Sequence, residues 1–315
     1  MIGTAPREWI NDDRVEFFEI SDFIDKIKLN NKVLSHVEYT SDEFEKYLEQ
    51  LAYFSEYDNY KMMYYWLDAA TSELRQSIEV ESNSFGNKEL LEHDLFFDKM
   101  SISKERIRNI HKFVCASSKV NTDNPGEFRK KDIDVGADYP EGHQVFWYPP
   151  EKEDVIKFVD SYLKFYKTNS IRELYSNPFI KSSLAHLMLV RIQPFDDGNR
   201  RTARIIQNLA FTSGINKVYG TNLKLSPLNI STNINMYRTQ YMDRIHRIKF
   251  DINSDNSDAV NAFLDFILNM YDEQLYFQME NMPKLLKEIS RKQPYGDLDN
   301  IVSKSNIKKL PNIKR

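Results

Sequence analysis

The segment from Ile192 to Arg204, IQPFDDGNRRTAR, concentrates residue types that handle phosphate. Pro194 predicts the end of a preceding helix, because proline lacks a backbone N–H and its ring clashes inside a helix. Gly198 supplies the backbone freedom that a tight turn requires, and helical spacing resumes directly after it. A loop that leads into a helix N-terminus presents free amide hydrogens and the positive end of the helix dipole. The segment therefore predicts an anion-binding turn.

The side chains of this turn extend the same chemistry. Arg201 and Arg204 are three residues apart at the start of the helix, so both can reach a polyphosphate lying over its end. Asn199 can donate to phosphate oxygens, whereas Asp197 would repel a bare phosphate unless it held Mg²⁺ between itself and the phosphates. Arginines in the first turn oppose the helix dipole and are a poor choice for stability alone. These residues favour a magnesium-bound polyphosphate over an exposed structural loop.

The elements that must position this turn are mostly helical. Apolar residues recur with helical spacing in four stretches, at 44–51, 63–74, 155–166 and 260–271. Residues 182–192 are apolar on almost all sides, which predicts a helix in the middle of a bundle.

Proline, glycine and serine mark where some of these helices begin and end. Pro149 and Pro150 predict the start of the helix that contains 155–166, and Gly214 predicts the end of the helix that follows the turn. Residues 254–257 predict a loop between two helices.

Residues 128–150, FRKKDIDVGADYPEGHQVFWYPP, interrupt the helical pattern. Turn-forming residues separate β-branched and aromatic ones, which predicts a short, irregular β-hairpin beside the helices. Val145 and Trp147 alternate as strand residues do. They could dock a target segment by strand addition or simply pack on the helix below, and the sequence does not choose between these roles.

Composition limits the class of protein. The chain has 315 residues, of which 41% are hydrophobic and 29% charged, and only nine glycines, which favours a helical globular protein. A net charge of −4 makes nucleic acid an unlikely partner, and no apolar window is long enough to predict a membrane span. One cysteine, Cys115, and an N-terminus without an apolar leader lead us to expect a cytoplasmic protein.

The turn resembles the signature of the Fic domain family, His-Pro-Phe-x-Asp/Glu-Gly-Asn-Gly-Arg-x-x-Arg. It departs at two positions, with Gln193 in place of the histidine and Arg200 in place of the second glycine. The resemblance covers roughly residues 72–271. It implies a mainly α fold, a Fic-type helical bundle with a short β-hairpin flap.

By this resemblance the chain divides into three parts. Residues 1–100 form an N-terminal helical region that carries an inhibitory helix at about 62–83. Residues 101–282 form the Fic-like core, with the flap at 128–150 and the motif loop at 193–204. Residues 283–315 form a basic C-terminal tail.

The resemblance also implies transfer of AMP from ATP to a hydroxyl of a protein target docked at the flap. Asp197 would hold Mg²⁺, Asn199 and the loop amides would stabilise the α-phosphate, and Phe195 would anchor the loop in the core. The implied catalytic positions are Gln193, Asn199 and Arg201, and the implied nucleotide-binding residues are Gly198, Asn199, Arg200, Arg201 and Arg204, with the two last holding the β- and γ-phosphates.

Residues 77–83, SIEVESN, are similar to the inhibitory motif of the same family, Ser/Thr-x-x-x-Glu-Gly/Asn, with Ser82 in place of the small residue after the glutamate. In this interpretation Glu81 pairs with Arg204 and excludes the γ-phosphate. The resemblance therefore predicts an autoinhibited enzyme.

The two departures leave three functions open. A glutamine amide does not accept the proton of an attacking hydroxyl, and the loss of a positioned general base typically costs about 10²- to 10⁴-fold in rate. The first hypothesis is weakened AMP transfer, and the second is an inactive pseudoenzyme that binds nucleotide and docks a partner. The third is a phosphotransferase like the toxin branch resembling Doc, which has lysine at the position of Arg200.

Overall fold

The computed structural model describes residues 15–57, 102–167 except 119 and 141, and 173–289 except 222, 224–227 and 229. These residues form a mainly helical fold with one β-hairpin, as the sequence predicted. In the order of the described chain, the elements are α1 (Ile20–Lys26), α2 (Asn31–Tyr57), α3 (Lys104–Ser117), β1 (Val135–Tyr139), β2 (Gly142–Trp147), α4 (Val155–Lys167), a 3₁₀ turn (Glu173–Ser176), α5 (Pro178–Ile192), α6 (Asn199–Tyr219), α7 (Ile230–Met236), α8 (Arg238–His246) and α9 (Ser257–Ile289).

Helix α5 lies at the centre of the bundle. All of its residues except Lys181 are buried, which agrees with its nearly continuous apolar sequence. Asn177 caps its start, because the side-chain oxygen accepts from the backbone N–H groups of Phe179 and Ile180, and Pro178 occupies the first turn. The helix ends at Ile192, as Pro194 predicted. Its last turn thus delivers the chain into the motif loop.

Two predicted helix boundaries were wrong. Helix α6 continues past Gly214 to Tyr219 and ends at Gly220, which has φ 64°. Gly214 lies where a β-carbon would come within 3.0 Å of the Pro178 Cβ, so this glycine permits close packing of α5 and α6 instead of ending a helix. Helix α4 begins at Val155, and Pro150 lies outside it, where its carbonyl accepts from Arg129 Nη2.

Helices α2 and α9 are the longest described, with 27 and 33 residues, and they pack against each other. Three predicted segments lie wholly or partly outside the described residues: the helix at 63–74, the inhibitory helix at about 62–83 with Glu81, and residues 290–315 of the basic tail. Helix α9 itself extends beyond residue 282 to Ile289. No helix in the described part of the chain has the length and apolar character that crossing a membrane requires.

The predicted hairpin pairs β1 with β2 in antiparallel register, with an irregularity between Val135 and Gly136. A β-carbon at Gly136 would lie 2.3 Å from the Gln144 carbonyl oxygen, so only glycine fits there. Trp147 at the end of β2 is 1% exposed. Its side chain therefore packs in the core, whereas docking of a target segment at the hairpin stays a prediction.

Candidate functional site

The motif loop joins the two central helices through two left-handed backbone positions. Gln193 ends α5 with φ 47° and ψ 64°, and Gly198 precedes α6 with φ 76°. Between them Phe195 is fully buried, and its ring stacks on His111 of α3 at 3.7 Å between centroids. Phe195 thus anchors the loop to the core.

Asn199 closes the loop on itself. Its side-chain oxygen accepts from the Phe195 N–H at 2.8 Å, and its side-chain nitrogen donates to the Phe195 carbonyl at 2.8 Å. The side chain is 4% exposed. This amide therefore organises the turn, in addition to any contact with a phosphate.

Two further residues hold the loop, and no sequence pattern indicated either of them. Arg129 is 4% exposed, and its Nε donates to the Gln193 carbonyl at 2.8 Å, while its backbone N–H donates to the Pro194 carbonyl at 2.9 Å. Its Nη1 donates to the Lys131 carbonyl at 3.1 Å. The guanidinium thereby ties the start of the hairpin segment to the motif loop through carbonyl acceptors.

His111 is the second such residue, and its hydrogen bonds define its tautomer. The Gly126 N–H donates to Nδ1 at 2.8 Å, so Nε2 carries the hydrogen and donates to the Asp197 carbonyl at 2.9 Å. Burial is the main cause that lowers the pKa of His111. A neutral imidazole therefore supports the loop from below.

Most of the predicted site residues line one small pocket of about 60 Å³ beside Val135 of β1. The predicted residues in its lining are Gln193, Asp197, Gly198, Asn199, Arg200 and Arg201. Arg204 does not line it: its side chain is 1% exposed. The structure therefore brings six predicted residues together and places Arg204 in the interior.

Asp197 is the carboxylate of this pocket, and its side chain is 42% exposed. Its Oδ1 accepts from the Gly198 N–H at 2.5 Å and its Oδ2 from the Asn121 N–H at 2.8 Å. Within the described residues no group of three or more His, Cys, Asp or Glu side chains could hold a metal ion. Mg²⁺ commonly binds through one or two carboxylates together with substrate phosphates, so a single exposed aspartate fits a magnesium that arrives with a nucleotide.

Positive charge surrounds the start of α6. The Gly198 position provides no side-chain cap, which leaves the first amide groups of the helix for an anion. Arg201 donates from Nη1 to Ser118 Oγ at 3.0 Å, and its Nη2 lies 3.6 Å from Asp197 Oδ1. Arg200 Nη1 lies 3.0 Å from Met242 Sδ of α8. The two guanidinium groups of the pocket thus contact different elements, Ser118 after α3 and Met242 on α8.

Gln193 is held by its own helix. Its side-chain nitrogen donates to the Val190 carbonyl at 2.8 Å, and the residue is 6% exposed.

No histidine is among the residues that line the pocket. His186 is fully buried on α5, where burial lowers its pKa to about 3, and His143 on β2 pairs with Asp134 at 2.8 Å. The described pocket therefore brings two arginines and a carboxylate together without a histidine.

A helical bundle with an anion-binding turn between its two central helices and a hairpin at its side defines the class of this fold. Residues 101–211 match the profile of the Fic/DOC family. The chain therefore contains a Fic/DOC family domain.

Individual proteins agree with this assignment. Protein adenylyltransferase Fic of Drosophila grimshawi is 31% identical over 110 residues, which cover 35% of this chain and 20% of that protein. The protein of the same name from Aedes aegypti is 32% identical over 107 residues, covering 34% and 19%. The match thus spans about a fifth of the length of these relatives.

Solved structures of Fic proteins share the fold. A Fic family protein from Desulfovibrio desulfuricans G20 aligns with a TM-score of 0.58 and 14% identity, over 81% of this chain and 76% of that chain. Fic-1 (aa134 - 508) from C. elegans aligns with a TM-score of 0.51 and 16% identity, over 80% and 73%. At these identities the likeness concerns the fold alone.

Proposed function

We propose that the motif loop binds the polyphosphate of ATP with Mg²⁺ and that the protein transfers AMP slowly to a hydroxyl of a protein docked at the 128–150 flap. The observation that carries this proposal is the shared pocket of Asp197, Arg200 and Arg201 at the uncapped start of α6. The names of the curated relatives, protein adenylyltransferases, support the same reaction class.

Each group has a role in this proposal. The first amides of α6 and the Arg201 guanidinium neutralise the phosphate oxygens, on which negative charge develops during transfer. Asp197 holds the Mg²⁺ that accompanies the nucleotide, and that ion supplies charge neutralisation. Arg204 acts from the interior, because its buried guanidinium strengthens the positive field behind the loop.

The proposed site lacks an efficient proton acceptor. In the reaction the target hydroxyl forms a bond to the α-phosphorus, pyrophosphate leaves, and the hydroxyl proton has to go to an acceptor. The Gln193 amide is not a useful acceptor, and its nitrogen is already bonded to the Val190 carbonyl. We expect a rate about 10²- to 10⁴-fold below that of the same site with a base.

Autoinhibition by Glu81 is part of the proposal. Its carboxylate would neutralise Arg204 and so weaken the binding of the terminal phosphate. Because Glu81 lies outside the described residues, this step depends on the sequence resemblance alone.

Transfer from labelled ATP tests the proposal. Purified protein is incubated with Mg²⁺, cell lysate and ATP labelled at either the α- or the γ-phosphate, as wild type, Glu81→Gly, Gln193→His and the double variant. Gln240→His, an exposed change on α8, is the matched control. We expect α-label on protein in Glu81→Gly and a stronger signal in the double variant, with no gain in the control.

Other outcomes would identify the alternatives. Label that moves only when Gln193→His is present indicates a nucleotide-binding pseudoenzyme, which the hydrogen bond from the Gln193 amide to Val190 favours. Transfer of the γ-label instead of the α-label indicates a phosphotransferase. Failure of every variant to bind ATP would overturn the proposal as a whole.

A further inference from the structure

A second group of buried polar side chains lies outside the motif pocket, where the last turn of α5 meets β2 and the end of α8. The guanidinium carbon of Arg191 lies 4.4 Å from the Trp147 ring centroid. The ring of His246 lies 5.2 Å from that of Trp147 and 4.5 Å from that of Phe146. We call Trp147, Arg191 and His246 the Arg191 cluster; their exposures are 1%, 1% and 9%.

The polar atoms of this cluster lack partners. Within the described residues, Arg191 Nε and Nη1, Trp147 Nε1 and His246 Nε2 are buried and make no hydrogen bond. No carboxylate in that part of the chain forms an ion pair with Arg191, whereas the equally buried Arg129 donates to three carbonyl oxygens. Buried donors are nearly always satisfied in folded proteins, so an unpaired set needs an explanation.

The surroundings of the cluster disfavour positive charge on both Arg191 and His246. Burial lowers the pKa of Arg191 to about 9. Burial is also the largest cause that lowers the pKa of His246 to about 3, and the charges of Arg191 and Arg200 lower it further. A negatively charged acceptor would reverse both effects and would satisfy several donors at once, because a guanidinium binds an oxyanion through two parallel N–H groups.

We propose that the Arg191 cluster binds a small oxyanion, the carboxylate or phosphate group of a ligand, between β2 and α8. This site is separate from the motif pocket, because none of its three residues lines that pocket. Arg200 connects the two sites, since it lines the pocket and also reaches Met242 on α8, the helix that ends at His246. An anion at the cluster therefore fixes the hairpin against the bundle beside the motif loop.

Thermal unfolding in different salts tests this site. The midpoint temperature is measured near neutral pH with increasing acetate or inorganic phosphate, against chloride at constant ionic strength. We expect the wild-type midpoint to rise and saturate with either oxyanion, since a ligand that binds only the folded state stabilises it. Arg191→Met should lose at least about tenfold in apparent affinity, in line with the loss of a bidentate charge-assisted contact.

Two further variants distinguish the site from its surroundings. Arg247→Met removes an exposed arginine one residue beyond His246 and should respond like the wild type. Arg201→Met removes a guanidinium of the motif pocket and should keep the acetate response. A response that disappears in Arg201→Met but persists in Arg191→Met would place the anion at the motif loop and overturn the inference.

The remaining outcomes are also decisive. If the wild-type midpoint is the same in acetate, phosphate and chloride, water satisfies the cluster and the inference is wrong.

If Arg191→Met does not fold, Trp147→Phe, which keeps a ring but removes the Nε1 donor, is titrated with acetate by calorimetry. A weakened affinity in that variant supports the site, and an unchanged affinity contradicts it. ATP binding in Arg191→Met is measured separately, so the proposed function can fail or hold independently.

Discussion

Two parts of the bundle shift the pKa of histidine in opposite directions. Where α2 meets α9, His36 lies between two carboxylates, with Nδ1 2.9 Å from Asp265 and Nε2 2.8 Å from Asp272. The hydrogen bond with Asp272 is the main cause that raises the pKa of His36. On the motif side, burial lowers the pKa of both His111 and His246.

The difference shows that the surroundings, and not the residue type, set the charge. His36 can donate from both ring nitrogens only as an imidazolium, and the adjacent Lys32 pairs with Asp265 at 2.7 Å. The motif side already holds Arg191, Arg200 and Arg201, so a further cation there would add repulsion. Positive charge at the α2–α9 contact is therefore held between two carboxylates, whereas on the motif side Arg201 lies beside the single carboxylate of Asp197 and arginines outnumber carboxylates.

The largest expected effect comes from removing the neutral support of the motif loop. His111→Ala deletes a buried ring and leaves the Gly126 N–H and the Asp197 carbonyl without their partner. We expect a loss of roughly 3 to 5 kcal/mol in the free energy of unfolding, measured by denaturant titration. His143→Ala, on an exposed histidine, should change it by less than about 0.5 kcal/mol. A loss below about 1 kcal/mol in His111→Ala would show that the loop is held by other contacts.

A second prediction concerns acid sensitivity at the Arg191 cluster. The folded pKa of His246 is about 3, below its ordinary value of 6.5, so the unfolded state binds a proton more readily and stability falls as pH drops below 6.5. The expected contribution is about 2 kcal/mol lost by pH 5. His246→Phe should flatten this part of the stability profile while preserving the ring contacts. An unchanged profile would mean that His246 takes up a proton in the folded protein.

The α2–α9 contact should have the opposite pH dependence. The folded pKa of His36 is raised, so its stabilising contribution is complete below its ordinary value of 6.5 and is lost as pH rises through the folded value. Asp272→Asn should therefore cost about 1 to 2 kcal/mol near pH 5.5 and little near pH 9. Glu280→Gln, an exposed change on the same helix, is the control. Equal losses at both pH values would argue against a charged His36.

The smallest loss of stability is expected at an ion pair of Asp243 and Arg247. Comparing it with the His36 contact shows how much of the His36 effect comes from burial in addition to pairing. Asp243 and Arg247 lie four residues apart, with Oδ2 and Nε at 3.0 Å, and their side chains are 26% and 48% exposed. Asp243→Asn should cost about 0.3 to 0.5 kcal/mol, and added salt should remove the difference. A loss as large as that of Asp272→Asn would show that burial contributes little to the His36 contact.

Much of the fold could be predicted because its signals are local. The apolar spacing of residues 44–51, 155–166 and 260–271 falls within α2, α4 and α9, and the predicted hairpin at 128–150 has its turn at Pro140, between β1 and β2. The two wrong boundaries have a common cause. Gly214 and Pro150 were interpreted as signals for the end and the start of a helix. Instead, Gly214 permits close contact with Pro178, and the Pro150 carbonyl accepts from Arg129.

The candidate site also has residues that the sequence indicated and residues that it did not. The sequence indicated the turn, its glycine and the arginines at the start of α6, because a phosphate-binding turn is built from consecutive residues. It did not indicate His111 or Arg129, whose partners in the loop lie 86 and 64 residues away. Nor did it separate Arg201, which lines the pocket, from Arg204, which is buried.

The sequence by itself determined that the described chain is mainly helical, that a loop after residue 192 leads into a helix that carries Arg201 and Arg204, and that glutamine stands where a base is expected. These properties follow from residue type and short-range spacing. Only the tertiary structure decided in which direction the pKa of each histidine is shifted, which arginines share a pocket, and that Arg191 lies on the Trp147 ring with two of its nitrogens unbonded. The physical reason is that desolvation and pairing depend on neighbours that folding brings together from distant parts of the chain.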